Sequence, residues 1–115
     1  MNPQELMSGL RKANQDLDRK NEELAELSEK YADAERAYRI ALAGKILEHK
    51  AAGHPVTIIN DLARGDKAVA DLRFQRDVAK EVLKSGRQAA QGIVEKIGSY
   101  RSLLTFLREE IFNSK

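Results

Sequence analysis

The sequence predicts an all-α protein: a long antiparallel helical hairpin, coiled-coil-like, with a short helix at its turn, dimerising into a helical bundle. Three observations predict it. Apolar residues recur at alternating steps of four and three along two runs of nearly equal length. The 115 residues are 42% hydrophobic, 33% charged and only 5% aromatic, the composition of amphipathic helices. The stop and restart signals of helices fall together in one central stretch.

The first run reads Leu6, Leu10, Ala13, Leu17, Lys20, Leu24, Leu27, Tyr31, Ala34, Tyr38 and Ala41, with Lys20 its polar interruption. Beyond Tyr38 the apolar positions move to Leu42, Ile46 and Leu47, and the stripe turns around the helix. This predicts a helix over about 4–52. At about 1.5 Å per residue it would be roughly 70 Å long.

The centre, Gly53-His54-Pro55-Val56-Thr57-Ile58-Ile59-Asn60-Asp61-Leu62-Ala63-Arg64-Gly65, is a stop, a short helix and a restart. Gly53 suits a helix C′ position, and Pro55 stands where a helix cannot continue. Thr57 is the expected N-cap of a short helix through Ala63, Gly65 ends it, and Asp66 caps the next. Val56, Ile58, Ile59 and Leu62 are expected to plug the end of the hairpin.

The second run, Val69, Leu72, Arg76, Ala79, Leu83, Gly86, Ala90, Ile93, Ile97, Tyr100, Leu104, Leu107 and Ile111, predicts a helix over about 66–113. Residues 1–115 are therefore expected to form a single helical domain. With a fold-back near residue 59, residue i should face residue 118 minus i. That register sets the acidic stretch 16–35, with eight carboxylates against three cations, beside the basic stretch 83–102. An antiparallel pairing between two chains would satisfy the same pattern.

Off the seam, Ile40, Val78, Val82, Val94, Leu103 and Phe106 widen the apolar stripe, as in a helix with more than one neighbour. A dimer is the first expectation. Gly44, Gly86, Gly92 and Gly98 lie inside helical runs, where each costs up to about 1 kcal/mol relative to Ala. Close helix approach is the expected reason, with Phe74 resting over Gly44.

Function is less legible. The net charge is +2 and there is no cysteine, so neither a strongly basic nucleic-acid compactor nor a thiolate site is indicated. No apolar stretch is long enough to span a bilayer, and the N-terminus does not read as a secretory signal. A cytoplasmic location is expected. Motifs for phosphate loops, dinucleotide binding, nucleophile elbows and zinc proteases are absent, so no enzyme activity, catalytic residue or cofactor is expected. His49 and His54 lie on opposite sides of the Gly53 break without further ligands, and no metal site is expected.

Residues 36–80 hold nine Lys and Arg against five Asp and Glu. Lys50, Asp61, Arg64, Lys67, Arg73 and Arg76 are the candidate partner-binding residues at this basic turn end. Arg76 falls on the seam, where it could pair with Asp77 or Asp71, snorkel outward or reach a partner. A helix-turn-helix reading of 57–74 fails because Asp61 stands where a small apolar residue is wanted. Arg64-Gly65-Asp66 spells an adhesion tripeptide, but its glycine ends one helix and its aspartate starts another.

The stretch Pro55-Val56-Thr57-Ile58-Ile59-Asn60-Asp61-Leu62-Ala63-Arg64-Gly65-Asp66, continuing from Val69 to Ala79, resembles small helical proteins encoded by phages and prophages of Gram-positive bacteria. The resemblance covers the middle third of the chain. It implies a phage accessory protein acting in the bacterial host cytoplasm, and it carries over no site residue. The expected function is a non-enzymatic interaction protein that binds a protein partner through the basic turn end and modulates phage or host DNA transactions. The alternatives are a nucleic-acid-binding accessory protein using the same region, or a structural scaffold.

Overall fold

The computed structural model describes residues 2–114 of the protein. Three helices follow one another: α1 (Pro3–Ala51), α2 (Val56–Gly65) and α3 (Lys67–Asn113). The start of α1 is a capping box. Asn2 Oδ1 accepts the Glu5 amide at 2.8 Å, the Glu5 carboxylate accepts the Asn2 amide at 3.4 Å, and Pro3 occupies the first helical position.

α1 ends in a Schellman motif. Gly53 adopts φ +82°, its amide donates to the Lys50 carbonyl at 3.1 Å, and the His54 amide donates to the His49 carbonyl at 3.2 Å. Pro55, not Thr57, is the N-cap of α2; it makes no side-chain cap, and Thr57 lies within the first turn. Asp66 caps α3, its carboxylate accepting the Val69 amide at 3.2 Å. That hydrogen bond, with a smaller contribution from Lys45, holds the Asp66 pKa below its ordinary value.

The chain forms two compact units. One joins the segment up to Ala25 with the segment from Ser85 onward; the other is Glu26–Lys84. In each, a segment of α1 packs antiparallel to a segment of α3, the pairing of a helical hairpin. The seams do what their spacing predicts. In the first unit Leu6, Ala13, Ala90 and Ile97 are buried, and in the second Tyr38, Val69 and Leu83 are. Every other seam position is at least half-buried except Ile111, which is exposed. Lys20 is half-buried as well, its ammonium kept at the edge by Glu23 at 2.7 Å.

The register differs from the equal-arm expectation. Glu35 meets Arg76 instead of Leu83, and Lys45 meets Asp66 instead of Arg73. Tyr38 lies under Arg76, not Lys80, and in the first unit Gly9 abuts Tyr100, not Glu109. The shift is four to nine residues, about one heptad. A heptad seam looks the same after a slip of seven, so apolar spacing cannot distinguish the two registers. The turn decides: α3 begins beside Lys45, and Ile46 and His49, both half-buried, lie past that point on α1.

The expected charge matching changes with the register. Asp16, Glu23 and Asp33 pair within α1 with Arg19, Lys20 and Arg36, and the cross-helix pair found in the acidic stretch is Glu35 with Arg76. Glycine packing also moves. A Cβ on Gly44, Gly92 or Gly98 would meet nothing within 4 Å, so Phe74 does not rest over Gly44. The close approach is at Gly9, where a Cβ would stand 2.7 Å from the Tyr100 ring.

Candidate interaction site at the turn

α2 places two residues inward and leaves three of its apolar side chains outside. Ile59 and Ala63, four apart on one face, are buried. Val56, Ile58 and Leu62 remain 79%, 42% and 39% exposed. Of the four residues expected to plug the hairpin, only Ile59 does so. The other inward position belongs to Ala63, whose small side chain allows the close approach a bulkier one would prevent. The sequence signal for it is the four-residue spacing from Ile59.

Exposed basic residues stand on all three helices of this unit. Lys50 stands in the last turn of α1, Arg64 in the last turn of α2, and Arg73 in the second turn of α3; all are exposed. Asp61 is exposed on α2. None of these four makes an ion pair with another described residue. Lys67, by contrast, is held by Asp71 at 2.7 Å, which raises its pKa.

Arg76 is committed within the fold. Its Nε and Nη2 donate to Asp77 Oδ1 at 3.0 and 2.8 Å, and its Nη1 donates to Glu35 Oε2 at 3.3 Å. The guanidinium carbon lies 4.6 Å from the centre of the Tyr38 ring, a cation–π arrangement, and the side chain is 20% exposed. Thus the guanidinium of the seam arginine is paired with two carboxylates and covers the Tyr38 ring. Glu35 also accepts from Arg39 at 2.7 Å, the main cause of its lowered pKa.

The same geometry brings His49 and His54 together. The Schellman turn folds His54 back over α1, and the two imidazole rings meet edge to face with centroids 5.2 Å apart. The glycine break, read in the sequence as separating the histidines, is what joins them.

On the flank of the same unit, Phe74, Val78 and Val82 line an open groove of about 330 Å³ with Leu27 and Lys30. Phe74 is 69% exposed. No described helix is long and apolar enough to cross a membrane. No family model, curated protein or solved structure matches this chain.

Proposed function

We propose that this protein is a non-catalytic interaction module that binds an acidic, apolar-bearing segment of a protein partner at the turn. The observation that carries this reading is the division of α2. Ile59 and Ala63 anchor the helix, while Val56, Ile58 and Leu62 stay exposed in the unit that also carries Lys50, Arg64 and Arg73, which make no ion pair with another described residue. Exposed apolar side chains together with exposed cations suit a protein surface bearing carboxylates. A phosphate backbone would use the cations and leave the three apolar residues uncovered.

Association with a second copy through the Phe74, Val78 and Val82 face belongs to the same proposal, because four-residue spacing sets these side chains on one side of α3. The resemblance of residues 55–79 to phage-encoded helical proteins supports placing the module in phage or host DNA transactions. A cytoplasmic setting goes with that placement.

The test introduces a photo-crosslinking amino acid at Ile58 or at Val94, in chains with wild-type turns or with Arg64→Glu and Arg73→Glu together. Anisotropy with single- and double-stranded DNA across a salt series accompanies it. The proposal expects one defined protein adduct from position 58 that disappears in the charge-reversed chain, and no DNA binding. DNA affinity that falls steeply with salt and vanishes on charge reversal would transfer the site to nucleic acid. The absence of any adduct specific to position 58 would refute the docking surface.

A further inference from the structure

We propose that His49 and His54 form a two-histidine chelate for a divalent zinc ion, built by the turn that ends α1. Imidazole nitrogen is a favourable zinc ligand, and two imidazoles bind one ion only if the backbone holds them at the right separation. Here it does. Gly53 at φ +82° reverses the chain, the His54 amide bonds to the His49 carbonyl at 3.2 Å, and the ring centroids stand 5.2 Å apart.

That separation is compatible with one shared ion. With a zinc–nitrogen bond of about 2.05 Å, the ion lies about 3.2 Å from each ring centre. Two rings around a tetrahedral ion are then about 5.2 Å apart, whereas two cis ligands in a square plane are about 4.5 Å apart. The spacing is compatible with a tetrahedral zinc to which each ring turns one nitrogen. Among the described residues no group of three or more His, Cys, Asp and Glu gathers around an ion, so the protein supplies two ligands and water completes the shell. Glu48, next to His49, is engaged by Lys45 at 2.8 Å.

The site does not depend on the proposed partner. What it does is staple the last turn of α1 to the residue that leads into α2. These are the only two histidines in the chain, so each substitution leaves a single imidazole.

The test is calorimetric titration of the full chain with zinc chloride, alongside NMR of the histidine ring signals. One zinc per chain is expected, with both rings shifting together. His49→Ala and His54→Ala should each weaken binding about tenfold or more, because a chelate becomes a single ligand. Gly53→Ala keeps both imidazoles but strains the reversal that aligns them, and it too should lose affinity while far-UV circular dichroism stays helical. Equal zinc affinity in Gly53→Ala and the parent chain would reduce the pair to two independent surface imidazoles and overturn the proposal. So would unchanged binding in either single histidine variant.

Discussion

The glycines allow one chemical change, Gly to Ala, to be made in three environments with different predicted outcomes. Gly44, Gly92 and Gly98 are helical and exposed, and a Cβ there meets nothing within 4 Å. Each replacement should gain the intrinsic helix preference of Ala, about 0.5–1 kcal/mol. Together they should contribute roughly 1.5–3 kcal/mol. At about 2.1 cal/mol/K of unfolding entropy per residue, 115 residues give roughly 4 °C per kcal/mol, so the triple variant should melt about 6–12 °C higher.

Gly9→Ala should not show that gain. Its Cβ would sit 2.7 Å from the Tyr100 ring, and the ring must leave its rotamer at about 0.5–1.5 kcal/mol, cancelling the helix term. In a Tyr100→Ala background the obstacle is gone and Gly9→Ala should become stabilising. Gly53→Ala should cost about 1–2 kcal/mol, because φ +82° is left-handed backbone. Thermal melts and urea titrations at fixed protein concentration read all of these. If Gly9→Ala stabilised the parent chain as much as Gly98→Ala does, the Gly9–Tyr100 contact and the register built on it would be wrong.

Three further outcomes follow from the second unit and the ion pairs. Ile59→Ala should cost about 2–5 kcal/mol in urea unfolding, while Ile58→Ala, on the exposed side of α2, should stay within about 0.5 kcal/mol. Arg76→Lys should lose about 1 kcal/mol because an ammonium cannot serve Glu35, Asp77 and the Tyr38 face together; parity with the parent in chemical unfolding would contradict this. The pKa values of Glu23, Glu35 and Asp66 are lowered from ordinary values of 4.5, 4.5 and 3.8, so their contribution is complete above those values. It should fade as pH falls through the lower folded values, with Asp66→Asn flattening part of the acid limb. Lys45 is raised from 10.5, mainly by Glu48, so its contribution is present below that value and is lost on the alkaline side.

The amino-acid sequence by itself determined the helices and their buried seams. Spacing alone marked Leu6, Ala13, Tyr38, Val69, Leu83 and Ile97 as inward, because a side chain's direction on a helix depends on its position in the repeat. It also located the turn, since Gly53, Pro55 and Asp66 have backbone or capping preferences that act locally. The capping box at Asn2, Pro3 and Glu5 is also a local pattern, but the apolar spacing placed the start of α1 only at about residue 4 and left the box to the structure.

What tertiary structure decided was which residues meet. A heptad pattern is unchanged by a slip of seven, so only the space filled by α2 could set Glu35 against Arg76 and Lys45 against Asp66. Choosing Ile59 and Ala63 over Val56, Ile58 and Leu62 required the other helices, because only they define the inward side of a ten-residue segment. The nearness of His49 to His54 likewise depended on how the turn closes. Local preferences act over a few residues and are written in the chain, whereas pairing across it is a property of the packed whole.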